Sequence, residues 1–367
     1  MANSYNRIIL IGNGFDKAMG LKTDYADFIL SYFKKFTQIA INLPTYGDEL
    51  MSFKRINKIF DLSADSVKEK IKDFSTLKDL KDWVNRYFSI SYKFTFFEDI
   101  VTIVDKNRWV DIEQFYYDTL IKEFHKIDIK NRNHIVTEIK KLHDCMEELT
   151  NVLYCYIRDV QNSKIIDHTN HSLNRFFQKI SSPLDEQRRS LVTRHNRDSK
   201  PTNIIFIDFN YTNTTRKLIG YYSTINAKII HIHGEIEDEK NEIIFGYGDD
   251  TENEYEKLEL ANENEFLRMI KSFQYPRTHN YHNLLSIIEN NEFDVFIIGH
   301  SCGLSDRTLL KTIFEHKNCM AIQNFHYKGE SEDFAKRMEI SRHFTDKVKM
   351  RERVLPFDEN ATIPQLL

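Results

Sequence analysis

Residues 7–16 read R-I-I-L-I-G-N-G-F-D, and this stretch constrains the fold most. Four consecutive apolar residues, Ile8, Ile9, Leu10 and Ile11, run directly into Gly12-Asn13-Gly14. A short apolar run closed by glycines is the pattern of a strand buried on both faces of a parallel sheet. Glycine then lets the backbone turn sharply and approach another group closely. A helix starting just after would aim free backbone N–H groups at a phosphate. Gly12, Asn13, Gly14, Phe15 and Asp16 are therefore candidate nucleotide-binding residues. A dinucleotide fingerprint needs a third glycine three positions on, where this chain has Lys17. The same residues also fit a tight strand-to-helix turn with no ligand.

Further along, the chain falls into blocks. Tyr25, Phe28, Ile29, Tyr32, Phe33 and Phe36 recur at three- and four-residue spacing, one face of a helix. Residues 36–202 are charged and read as strongly helical, with apolar marks such as Phe60, Val67, Ile71, Leu80 and Trp83. Ile112 to Phe124 and Ile135 to Ile157 repeat the helical spacing. Residues 181–202 are polar, arginine-rich and bounded by Pro183 and Pro201, a loop or boundary. Strands are predicted at 203–209, 228–232, 242–245, 293–298 and 320–325. Together with the first strand, five strand ends carry Gly, Asn, His or Ser. In an open parallel α/β sheet, ligands bind at the carboxyl ends of the strands. The expected architecture is α/β: a Rossmann-like parallel sheet from residues 1–35 and 203–328, a helical insertion over 36–202 capping its crevice, and a charged tail over 329–367.

Three strand-end segments carry side chains suited to chemistry. In D-F-N-Y-T-N-T, Asn210 is placed to hold a water or a ribose hydroxyl, or else to cap the following helix. In H-I-H-G, His233 stands at a strand end before Gly234, where an imidazole takes a proton or serves only the fold. His231 and His233 share a strand face, but no third ligand has matching spacing, so no metal is expected. Gly299-His300-Ser301-Cys302-Gly303 fits the nucleophile elbow of hydrolases, with Asp306, Asp333 or Asp346 and His316, His326 or His343 available as partners. Only 66 residues of 367 follow Ser301, too few for the strands that usually carry the acid and base. Ser301 and the backbone around it also suit a ribose or phosphate. In the insertion, Trp109 and Glu113 are candidates to reach the pocket if this block folds over the sheet; Asp111 capping a helix is the alternative.

Composition excludes several classes. The net charge of -4 gives no basic footprint for nucleic acid, and Arg188, Arg189, Arg194 and Arg197 read as a solvated face or loop. Four cysteines form neither a disulfide framework nor a zinc knuckle. No signal-peptide core and no membrane-length apolar run occur, so a cytoplasmic protein with reduced thiols is expected.

The motifs I-L-I-G-N-G-F-D, W-V-D-I-E, F-N-Y-T-N, H-I-H-G, I-F-G-Y and I-G-H-S-C-G-L-S-D, in this order over residues 9–306, resemble those of the bacterial AbiH-type abortive-infection family. That family is in turn similar to sirtuin-like proteins. Gly12 to Asp16, Asn210 to Thr212, His233-Gly234 and Gly299 to Ser301 correspond to the sirtuin-like glycine loop, Asn-x-Asp, His-Gly and Gly-x-Ser. Thr212 replaces the Asp of that pattern, and no zinc-binding cysteine quartet exists. The resemblance thus implies binding or cleavage of NAD or a related nucleotide, not protein deacylation. On it, Asn210 and His233 would be catalytic, and Thr212, Gly234, Gly299, Ser301 and Asp306 would join the ligand site. It also implies phage defence, with a phage-derived trigger, and leaves homo-oligomerisation open. The rival readings are a serine hydrolase using Ser301 and a non-catalytic nucleotide sensor.

Overall fold

The computed structural model describes residues 5–57, 64–128, 130–185, 188, 191–192, 200–222, 226–248 and 253–366. Arg189, Arg194, Arg197 and Phe60, named above, lie outside them. The chain forms two compact units. One comprises Met1–Leu21, Ile157–Lys257 and Met269–Leu367; the other comprises Lys22–Tyr156 and Leu258–Arg268.

The first unit is built on a five-stranded sheet of β1 (Asn6–Ile11), β5 (Asn203–Asp208), β6 (Ala227–His231), β7 (Phe293–Ile298) and β8 (Cys319–Phe325). The strand order is β6-β5-β1-β7-β8, and every pairing is parallel. Counted within this sheet the order is 3-2-1-4-5, so it reverses at β1. Every residue of β1, β7 and β8 is buried, including the polar Asn6, Arg7, Asp294, Gln323 and Asn324 that interrupt their apolar runs.

Period-2 alternation sends the two faces of each strand into different cores. Ile9 and Ile11 join Phe206, Phe296 and Ile298 on one side, against Leu173, Phe176 and Ile180 of the helix His171–Ser181. Ile8 and Leu10 join Ile205, Ile207, Val295 and Ile297 on the other, against the helices Asn280–Asn290 and Arg307–Phe314. Residues 329–366, read above as a tail, contribute Ile340 and Phe344 to one core and Leu355, Ala361 and Ile363 to the other. Their backbone also bonds β8, with Leu355 N–H donating to Ile322 O at 2.9 Å.

Two features of the sequence reading change. Residues 242–245 are not a strand. After Gly234 the chain folds back over the end of β6, so Ile244 N–H bonds His233 O at 2.8 Å and Tyr211 Oη donates to Ile244 O at 3.3 Å. The boundaries also move: residues 157–202 belong to the sheet unit, whereas the helix Tyr25–Ala40 belongs to the other.

The second unit is largely helical, but it also holds an antiparallel sheet of β2 (Thr45–Gly47), β3 (Met51–Arg55) and β4 (Phe88–Tyr92). Met51-Ser-Phe-Lys-Arg and Phe88-Ser-Ile-Ser-Tyr alternate apolar with polar residues, the period of a half-buried strand. Phe36 of the helix Tyr25–Ala40 packs on Phe53 at a centroid distance of 4.6 Å. The later segment 258–268 delivers Glu265 to His143, whose Nδ1 it meets at 2.7 Å; His143 Nε2 meets Tyr116 Oη at 2.9 Å.

At the amino end of the large sheet, a buried ion pair crosses from β1 to β7. Arg7 Nη2 donates to Asp294 Oδ2 at 2.7 Å and Nε to Oδ1 at 3.0 Å. Arg7 Nη1 donates to Ile180 O and Ser182 O at 2.8 and 2.6 Å. Removing one partner strands a charge in the core. Arg7→Met is therefore expected to destabilise the fold by roughly 3–5 kcal/mol in urea titration. Arg7→Met with Asp294→Leu should recover much of that loss, and equal losses in both would show the pair is not coupled.

Candidate active site at the carboxyl end of the parallel sheet

All five parallel strands deliver their following loops to one end of the sheet, and the reversal at β1 sets the loop of β1 beside that of β7. Glycine decides how close they come. A Cβ on Gly12 would stand 2.4 Å from His300 Cα. Gly299 has φ +69°, and a Cβ there would stand 2.2 Å from Phe15 N. The backbones are bonded directly: Gly12 N–H to Ile298 O at 3.1 Å and Gly14 N–H to Gly299 O at 2.9 Å. Phe15 N–H bonds Gly12 O at 2.8 Å. The expected free N–H groups of Gly12, Gly14 and Phe15 are thus engaged in the protein, because packing two loops backbone to backbone uses them. The helix that follows, Asn13–Ala18, has 6 residues.

Asn210, after β5, does not cap the next helix; Asn213 holds that position before Thr214–Tyr221. Asn210 Nδ2 instead donates to Gly12 O at 3.2 Å, tying the β5 loop to the β1 loop. Phe209, one residue earlier, sets its ring edge-on to His233 at 5.1 Å and places it 4.1 Å from His300. The loops of β5, β6 and β7 therefore meet around Phe209. Gly234, behind His233, bonds its N–H to His231 O at 3.2 Å.

Asp306 is the hub of this side. It is 6% exposed, and its Oδ1 lies 2.9 Å from Lys271 Nζ and 3.2 Å from His233 Nε2. Its Oδ2 lies 3.5 Å from His300 Nε2. Cys302 N–H donates to His300 Nδ1 at 3.0 Å, which fixes the His300 tautomer with its proton toward Asp306. Burial alone would raise the Asp306 carboxyl, but Lys271 and the two imidazoles outweigh it and hold it well below the usual carboxylate range. Burial and the Lys271 charge push His233 down to about 4, so the ring is neutral at physiological pH.

A second buried group lies under the loops of β1 and β5. Asp16 is 1% exposed and accepts from Thr212 Oγ1 at 2.8 Å. Burial raises it to about 6, against the lowering effect of the Thr212 and Thr214 hydroxyls. Asp208 is fully buried, and its carboxyl is held well above the usual range, first by burial, with the charge of Asp16 adding to it. Among the described residues, Asp16 Oδ1 and Asp208 Oδ2 have no hydrogen-bond partner. Such orphaned polar atoms are costly and uncommon in a core.

Ser301 is exposed, and its Oγ accepts from Gly303 N–H at 3.3 Å. Its proposed histidine partners are occupied elsewhere. His343 Nε2 donates to Cys302 O, His326 Nε2 to Asp358 O, and His316 faces Glu289. Among the described residues no imidazole bonds Ser301, so the elbow has no base. Lys336 Nζ donates to His300 O and Ser301 O at 2.7 and 2.8 Å.

In the helical unit, Asp111 does cap the helix Ile112–Phe124, accepting from Gln114 N–H at 3.0 Å. Glu113 is buried in its first turn, whereas Trp109 is 65% exposed. Among the described residues no group of three or more metal-ligating side chains occurs, and no helix is long and apolar enough to cross a membrane.

Sequence reasoning missed Lys271, His300 and Asp208. His300 and Asp208 lay inside quoted motifs, but Lys271 had no signal among 51 lysines and arginines. The sequence matches the family described as Bacteriophage abortive infection AbiH over residues 8–327. No curated protein and no solved structure matches it.

Two outcomes follow from this geometry. Asp16 binds a proton in the folded state up to about pH 6 but only to about pH 4 when unfolded. Its contribution to stability is therefore lost as pH rises through that window. Asp16→Asn, which keeps the Thr212 bond, should be more stable than the parent at pH 8 by on the order of 2 kcal/mol. The gain should shrink toward zero near pH 4; a gain independent of pH would show that Asp16 is not ionised in the fold. For Ser301, a fluorophosphonate probe is expected to leave the protein unlabelled, and labelling abolished by Ser301→Ala would restore the hydrolase reading.

Proposed function

The chain belongs to the bacteriophage abortive infection AbiH family, and on that premise we propose that it acts by binding NAD or a related nucleotide at the carboxyl end of its parallel sheet and cleaving the N-glycosidic bond. The observation that carries the reading is at the carboxyl end of the sheet: Asn210 binds the loop of β1, and its neighbour Phe209 touches both His233 and His300, which flank Asp306. The order 3-2-1-4-5 is that of doubly wound dinucleotide-binding sheets, in which the reversal opens the ligand crevice. The sirtuin-like correspondence of Gly12–Asp16, Asn210, His233 and Gly299–Ser301 belongs to the same reading.

The chemistry follows from the charges. Loss of nicotinamide leaves positive charge on the ribose; the ring nitrogen keeps the bonding pair and leaves neutral. Water forms the new bond to the anomeric carbon and releases one proton. Asn210 positions that water by its amide. A neutral His233, whose Nε2 lies 3.2 Å from Asp306 Oδ1, would accept the proton at Nδ1, and Asp306 would stabilise the imidazolium. The phosphates and the second ribose would lie along the Gly12–Asp16 loop, Thr212, Gly234 and the exposed Ser301, held by groups other than the Gly12, Gly14 and Phe15 N–H, which the protein itself uses. The reaction requires no metal. Depletion of NAD, started by a phage-derived trigger, would link this activity to abortive infection in a cytoplasmic protein, whether it works as one copy or as a homo-oligomer.

The test is a time course of the full chain with NAD, alone and with infected-cell extract, following nicotinamide and ADP-ribose. Asn210→Ala and His233→Ala should each lower the rate by about 100-fold or more while circular dichroism stays unchanged. NAD binding without turnover under both conditions would replace the enzyme with a sensor. Neither binding nor turnover would overturn the nucleotide reading.

A further inference from the structure

We propose that Lys271 is the positioning residue of this site: its buried ammonium holds Asp306 as an anion, and Asp306 in turn orients His233 and His300. The inference rests on the proposed use of His233 as a base. Lys271 is 0% exposed, and its Nζ lies 2.9 Å from Asp306 Oδ1. A lysine is almost never fully buried without a partner, and neither is an aspartate. The two are also set by separate parts of the chain, 35 residues apart.

The backbone holds Lys271 as tightly as its side chain does. Its N–H bonds Tyr247 O at 2.8 Å, and Tyr247 N–H bonds Met269 O at 3.2 Å. A Cβ on Gly248 would stand 2.8 Å from Ser305 O and 3.3 Å from Lys271 Cβ. Thr308 N–H then bonds Gly248 O at 3.1 Å. The segment 246–248 thus joins the start of the helix Lys271–Gln274 to the Asp306 turn, which explains the Gly246-Tyr247-Gly248 motif that the proposed reaction leaves without a role.

The charges around His233 are Lys271, Asp306 and His300, with Phe209 and Tyr275 as its ring neighbours. Those around His300 are Asp306, Lys336 and Lys271. Burial and then the Lys271 charge outweigh the Asp306 carboxylate, which leaves the imidazole neutral. Without the ammonium, His233 would face an unbalanced carboxylate and take up a proton, ceasing to be a base.

The experiment compares the full chain with Lys271→Met, Lys271→Arg and the double variant Lys271→Met/Asp306→Asn. It reads the His233 ring by NMR titration, assigned with His233→Gln, and the pH profile of nicotinamide release. In the parent, His233 should stay neutral down to about pH 4. In Lys271→Met its titration, and the acid limb of the rate, should move up by at least two pH units; Lys271→Arg should return both toward the parent. Should Lys271→Met fail to fold, the neutral double variant tests the same point: it should fold, keep His233 neutral and still lose about 100-fold in rate, because nothing aims the ring. An unmoved His233 titration in Lys271→Met, or a parental rate in the double variant, overturns the proposal. If the parent releases no nicotinamide while the titrations behave as stated, the nucleotide reading fails and the role of Lys271 stands.

Discussion

The structure of the sheet unit depends on one contact: the loops after β1 and β7 approach backbone to backbone. With Gly12 on His300 Cα and Gly299 on Phe15 N, no side chain separates them. The carbonyls of Ile298 and Gly299 take the N–H groups of Gly12 and Gly14. This contact sits where the strand order reverses. It fixes the height at which His300 stands beside Phe209, and through Phe209 it fixes His233. The Asn210 amide on Gly12 O adds the β5 loop to the same assembly.

Around that contact the protein keeps an unusual amount of polarity out of water. On one side an ion pair, Lys271 with Asp306, is flanked by two imidazoles. On the other, Asp16 and Asp208 are held close enough for their charges to repel, each with an oxygen that has no hydrogen-bond partner among the described residues. A core built only for stability would replace both groups with apolar side chains. The Arg7–Asp294 pair at the opposite end differs, because its guanidinium is saturated by Asp294 and two helix-end carbonyls. Buried charge that is fully bonded serves the fold, whereas buried charge with vacant hydrogen-bonding capacity marks a place prepared for chemistry.

Much of the sheet was legible in the sequence. The expected strands at 8–11, 203–209 and 293–298 became β1, β5 and β7 within two residues, because each has a central run of consecutive apolar residues, the mark of a strand buried on both faces. Residues 242–245 have the same composition but bond to His233 and Tyr211 instead of entering the sheet, and a four-residue run carries no mark of that choice. The small sheet of β2, β3 and β4 was missed because its strands are short and set among helices. Residues 329–366 looked like a charged tail because their apolar residues are widely spaced, yet Ile340, Phe344, Leu355 and Ile363 reach the cores.

For the site, local sequence named the strand-end residues but not their partners. Gly12, Asn210, His233 and Gly299 are readable because glycine, asparagine and histidine at strand ends have few common uses. The family, too, was written in the order of the motifs. Tertiary structure alone decided that Gly12 and Gly14 pack on a neighbouring loop, that Asn210 binds Gly12 and not a helix end, that Ser301 stands without a base, and that Lys271 meets Asp306. Periodicity records which face of an element is buried, since burial acts on each residue separately. Pairings across tens or hundreds of residues leave no periodic trace, since they exist only once the sheet has brought the strand ends together.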